Sequence, residues 1–84
     1  MPKNVWKNNP LTLKYETKAK NILKGELKHR GLTYADLTEK LDAIGVSETE
    51  RNLANKISRG GFTAAFLIQC LDAIGSHSLH LRVD

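Results

Sequence analysis

The chain has 84 residues, 40% of them hydrophobic, and one cysteine, Cys70. That length suits one domain, near the lower limit at which a single core holds without staples. A lone cysteine excludes an intrachain disulfide and with it a disulfide-built secreted scaffold. The formal net charge is +4, with a pI near 9.4, and it is unevenly spread. Residues 1–31 carry +6, residues 32–50 carry −4, and residues 51–84 carry +2. Basic ends around an acidic middle suit a molecule with one side turned to a polyanion; ordinary solubilising charge explains the pattern as well.

The opening MPKNVWKNNP has no apolar h-region, so no signal peptide is expected. No apolar run reaches spanning length, so no membrane helix is expected either. A reducing cytoplasm is the simplest compartment. Two prolines and three asparagines within residues 1–12 read as an irregular or extended arm, taken through residue 13. Lys3 and Lys7 on it are placed to wrap a duplex, and Trp6 to pack on the core.

From about Lys14 to Arg30 the pattern is helical. Ala19, Ile22, Leu23 and Leu27 form one apolar stripe, with Lys14, Lys18, Lys24 and Lys28 on the other side and Gly31 as the stop. GLTYADL is a helix start. Thr33 suits the N-cap, Asp36 the N3 position of a capping box, and Leu32 with Leu37 a hydrophobic staple. This second helix runs to about residue 44 and ends on Gly45. VSETE offers another box, Ser47 with Glu50, with Thr49 as the rival N-cap. The third helix then runs from about 48 to 59 and stops at Gly60–Gly61. Thr63 caps a fourth, whose buried candidates are Phe66, Leu67, Cys70, Leu71 and Ile74, ending on Gly75. LDAIG occurs at 41–45 and 71–75, which shared helix-end chemistry explains. In SLHLRV the period changes, and Leu79, Leu81 and Val83 alternate with His80 and Arg82 as in a half-buried strand. A lone strand needs a partner, here the arm or the same strand of a second subunit.

On the third helix, Leu53, Ala54 and Ile57 share one arc, and Asn52, Asn55, Lys56 and Arg59 the opposite one. Burying the first arc turns the second outward, the geometry of a major-groove reader. Asn pairs with adenine, and Lys or Arg with guanine or phosphate. A solvated helix face is the plainer reading of the same residues. Glu48 and Glu50 oppose DNA, but carboxylates in a first turn are already favoured by the helix dipole, by about 0.3–1 kcal/mol each.

LKGELKHRGLTYADLTEKL, GVS and the Ile57–Gly60 run I-S-R-G resemble the phage-repressor-type helix-turn-helix family, the Cro/cI or XRE class, over about residues 18–75. The resemblance implies an all-α, lambda-repressor-like bundle of four to five helices with a helix-turn-helix at 33–59. Thr33 and Tyr34 would touch phosphate. Thr49, Asn52, Asn55, Lys56 and Arg59 would touch bases and phosphate, and Leu37, Leu41, Val46, Ala54 and Ile57 would form core. Two departures lengthen this chain: Asp42-Ala43-Ile44 stand before Gly45, and the interval from Val46 to Ile57 is about three residues longer than the family's. NLANKISRGGFTAAFLIQCLDAIG also resembles a family of small bacterial proteins carrying a domain of unknown function, which implies no activity.

No nucleophile–base pair, phosphate-cradling loop or carboxylate pair stands out, so an enzyme is not expected. His77, His80 and Cys70 match no zinc spacing and lack a fourth ligand, so neither metal nor cofactor is expected. The expected organisation is an arm at 1–13, a helix-turn-helix domain at 14–75 and a tail at 76–84 with a short C-terminal β-strand. The expected function is sequence-specific binding of double-stranded DNA by a regulator of bacterial, phage or plasmid origin, acting as a homodimer through residues 79–83. The alternative is a protein-interaction module, antitoxin-like or a scaffold subunit, using the same bundle without DNA readout.

Overall fold

Each helix in the chain starts from an Asn or Thr side chain and closes on a glycine or just before one. The computed structural model describes residues 9–79 and 81. Within them lie α1 (Pro10–His29), α2 (Tyr34–Ala43), α3 (Glu50–Arg59) and α4 (Ala64–Ala73). Asn9, Thr33, Thr49 and Thr63 are the N-caps, each side chain accepting from a backbone N–H of the first turn, which satisfies one of the donors that a helix start leaves orphaned. At Thr33 the capping box is complete: its hydroxyl accepts from the Asp36 N–H at 3.1 Å, and its own N–H donates to Asp36 Oδ2 at 2.9 Å. α1, α2 and α4 all end in the same double clasp. For α2, the Gly45 N–H reaches the Asp42 carbonyl and the Val46 N–H reaches that of Leu41, at 3.0 and 2.9 Å. The two LDAIG strings are two copies of this motif.

The helices interleave. α1 packs against α3 and α4, and so does α2. Leu23 and Leu27 of α1, Leu37 and Leu41 of α2, Leu53 and Ile57 of α3, and Phe66, Cys70, Leu71 and Ile74 at α4 meet in one core. Each buried large aliphatic there is worth about 1.5–3 kcal/mol relative to exposure. Leu32, Val46, Phe62 and Leu67 pack around its edge. The ends of α1 and α4 are tied by Arg30, whose guanidinium donates to the Ile74 carbonyl at 3.2 Å. α1 crosses the end of α3 so closely that a Cβ at Gly60 would stand 2.7 Å from the Glu16 carbonyl oxygen.

Three expectations change. Residues 10–13 belong to α1, not to an arm: Asn9 Oδ1 accepts from the Leu11 N–H at 2.8 Å, and Pro10 follows in the first turn. Proline is at home there, because its missing N–H would have no helical partner. Leu11, Leu13 and Tyr15 are exposed, so these turns lack the apolar stripe that marks the rest of the helix. Residues 1–8 of the predicted arm, with Lys3, Trp6 and Lys7, lie outside the described residues. Second, α3 starts from Thr49, not Ser47. The Thr49 hydroxyl accepts from the Asn52 N–H at 3.1 Å, and the later start leaves Glu48 in the connector, where it pairs with Lys56. Residues 44–49 thus form the connector, and α3 begins after them. Third, no strand is present among the described residues. Leu79 and Leu81 are exposed and unpaired with any strand, while His80 and 82–84 lie outside the described residues. No helix among the described residues is long and apolar enough to cross a membrane.

Candidate nucleic-acid interface

α3 has the strongest contrast between faces of the four helices. Leu53 and Ile57 are completely buried, and at 100° per residue they set which side chains point outward. Directly opposite lies Asn55, flanked by Arg51 and Arg59 one turn to either side, all exposed. Asn52 and Ser58 widen this face and are exposed too. The Arg59 Nε donates to the Asn55 carbonyl at 3.2 Å, which lays its guanidinium along the last turn. The outer row is therefore Arg51–Asn55–Arg59, a spacing of i, i+4, i+8, carrying two cations and one amide.

Of the seven predicted site residues, Asn52, Asn55 and Arg59 come together on this face. Thr49 sits at its N-terminal end with its hydroxyl oxygen already accepting as a cap, leaving the O–H free to donate. Lys56 is turned aside. Its ammonium pairs with the Glu48 carboxylate and lies 5.1 Å from the centre of the Phe66 ring. Thr33 and Tyr34 stand apart from the row, at an open recess of about 450 Å³ lined also by Lys24, Leu27, Lys28, Leu32 and Glu50. Tyr34 is half-buried against the core. Asp36 is close to Thr33, and the Thr33 backbone N–H, then its hydroxyl, hold that carboxyl below its usual value. The start of α2 thus already serves an anion of its own.

Arg51 is not among the residues expected at the site, and Lys24 and Lys28 belong to a lysine stripe that reads as a phosphate rail or, slightly better, as a solvated helix face. Arg51 was legible as the residue four before Asn55 and eight before Arg59. The two lysines required knowing that the α1–α2 turn brings α1's last turns beside Thr33.

On the α4 side, burial pushes the Cys70 thiol up to about 12, the nearby Glu48 charge adds to this, and Lys56 partly offsets it. Such a thiol stays protonated and unreactive at neutral pH. Among the described residues no three His, Cys, Asp or Glu side chains gather where they could hold a metal ion.

A family described as a domain of unknown function, DUF6471, matches residues 15–79. No curated protein and no solved structure matches the chain.

Proposed function

We propose that this chain, which belongs to the DUF6471 family, binds double-stranded DNA by laying the outer face of α3 in the major groove. The observation that carries the reading is the Arg51–Asn55–Arg59 row, exposed along a helix whose other face, Leu53 and Ile57, is locked into the core. A row so fixed presents its side chains in a set register, which base readout requires. Asn52 widens the reading face. Thr33 and Tyr34, with Lys24 and Lys28 beside them in a recess that Glu50 also lines, and Thr49 at the start of α3 supply contacts to phosphate that position the helix without reading sequence.

In its finer form the proposal makes α2 and α3 an XRE-like helix-turn-helix with a lengthened connector. The protein is then a regulator of bacterial, phage or plasmid origin. One module of this size reads few base pairs, so a two-fold pair spanning half-sites about 34 Å apart completes the mechanism, with residues 79–83 as the contact between copies.

Selecting bound duplexes from a random pool, then titrating the winner at two salt concentrations, tests this. With about four phosphate contacts per module, affinity falls on the order of 10²-fold from ~50 to ~200 mM salt. Failure of any sequence to enrich, with binding to random duplex weaker than ~100 µM, refutes it. A second reading, a protein-interaction module, is favoured by the exposed apolar side chains of Ile68, Leu79 and Leu81, at 65%, 45% and 62% exposure. Affinity for such a partner would change little over the same salt range.

A further inference from the structure

Glu48 makes an unusual reach. It lies one residue before the α3 N-cap, yet its carboxylate pairs with Lys56, eight residues on. Helical ion pairs form at three or four residues, so this one is made by the connector lying back along α3. The two partners differ in exposure: the Glu48 side chain is 11% exposed and that of Lys56 is 41%. The lysine is therefore open to solvent while the carboxylate beneath it is not. The ammonium also lies over the Phe66 ring of α4. Lys56 and Arg59 both line a recess of about 300 Å³ at the α3–α4 corner, with Gly61, Phe62, Thr63 and Phe66. The thiol of Cys70 feels both charges, which places the pair at the core edge and not at the tip of a loose side chain.

We propose that Glu48 is an internal competitor for the polyanion: it holds Lys56 in the free protein, and a nucleic-acid phosphate entering the α3–α4 corner has to displace it. This rests on the DNA-binding reading above. The pair has the properties such a device needs. The ammonium is open and the carboxylate largely buried, so a phosphate reaches Lys56 from the solvent side, and displacing Glu48 costs more than breaking a surface pair. The ammonium keeps its place over Phe66 while the anion exchanges. With Lys56 neutralised, the free protein offers one cation fewer to any passing polyanion. Random duplex therefore gains less from the corner than a duplex seated by the Arg51–Asn55–Arg59 row. Glu48 so acts on selectivity as well as on affinity.

The test compares wild type, Glu48→Gln, Lys56→Ala and the double variant. Each is titrated with a selected duplex and a random duplex of equal length over a salt series, after its thermal unfolding has been recorded. Glu48→Gln should tighten binding by more than about fivefold, the upper limit for an exposed pair, because its carboxylate is largely buried, with the larger gain on random duplex. Lys56→Ala should reduce the salt slope by about one relative to wild type, and the double variant should show the same reduced slope while binding no weaker than Lys56→Ala, whose Glu48 carboxylate is left unpaired. Wild type that binds duplex while Glu48→Gln binds no tighter overturns the proposal and leaves the DNA reading standing. If Glu48→Gln proves unstable, an unchanged salt slope in Lys56→Ala overturns it equally, because Lys56 then never meets phosphate. Failure of wild type to bind any duplex overturns both.

Discussion

Substituting Gly60 probes the close approach of the end of α3 to the α1 backbone. Gly60 has φ +72°, and an added Cβ would meet the Glu16 carbonyl oxygen at 2.7 Å and its carbonyl carbon at 3.1 Å. Those atoms are α1 backbone, so relief requires moving the helix. Gly45 is the control, since its φ is +87° with nothing within 4 Å of the same Cβ. Left-handed backbone costs an L-residue roughly 1–2 kcal/mol, offset by about 0.4–1 kcal/mol from the stiffer unfolded chain. Gly45→Ala should therefore lose at most about 1.6 kcal/mol. Gly60→Ala adds an overpacking cost of about 1–3 kcal/mol, for a total of about 1–4.6 kcal/mol. Gly61→Ala gives a third point: its Cβ would meet only the end of the Glu16 side chain, at 3.0 Å, which can swing away. Urea unfolding followed by circular dichroism measures all three. Each kcal/mol corresponds to about 4–8 °C in Tm for a domain of this size, so the gap between the Gly60 and Gly45 variants should be several degrees or more. Equal losses at Gly60 and Gly45 would refute the seating of α1 on the end of α3.

Thr49→Ala should cost about 1 kcal/mol as loss of an N-cap, while Ser47→Ala should be nearly silent; the reverse order in the same unfolding assay would restore the earlier helix start. Arg51→Ala should weaken a selected duplex by about 1–3 kcal/mol and relax preference at one base pair if it reads a base, whereas a uniform loss across sequences in competition titrations would assign it to phosphate. The Cys70 thiol, held near 12 when folded, is protonated in the native state where an unfolded thiol, near 8.5, is not. Its contribution to stability is therefore complete below about pH 8.5 and is lost as pH rises towards 12. Cys70→Ala should flatten that alkaline decline, and a thiol reagent at neutral pH should label native protein far more slowly than unfolded protein.

Helix ends were the most legible part of this chain, because their chemistry is local. Thr33 with Asp36, and each glycine after a Leu-rich turn, specify a cap or a stop within a few residues. The start of α1 was obscured because Leu11, Leu13 and Tyr15 cover no core and so show no stripe. Ser47 and Thr49 are equally good caps by residue type. What decides between them is where Glu48 goes, and its partner Lys56 is a tertiary neighbour. The same fact separates Lys56 from the reading face: on a helical wheel it lies at the edge of the arc that holds Asn52 and Asn55, and Phe66 of α4 with Glu48 of the connector receives its ammonium. Lys24 and Lys28 joined the candidate site for a like reason, since nothing in α1's own pattern tells which of its lysines flank α2.

The order of packing bears on how the chain acquires its structure. Among the described helices, α2 and α3 are the sole sequence neighbours whose backbones approach closely; the other close backbone approaches join helices separated in sequence. Cutting within the connector at 44–49 leaves α1 with α2, and α3 with α4, pairs whose backbones do not approach closely and of which the second shares edge contacts such as Lys56 over Phe66. Each half loses the main mate for its own apolar face. Each should be a largely unfolded peptide alone, and the two should gain helix only on mixing, with a concentration-dependent transition. In the uncut chain the slowest amides of all four helices should then exchange together, at the free energy of global unfolding.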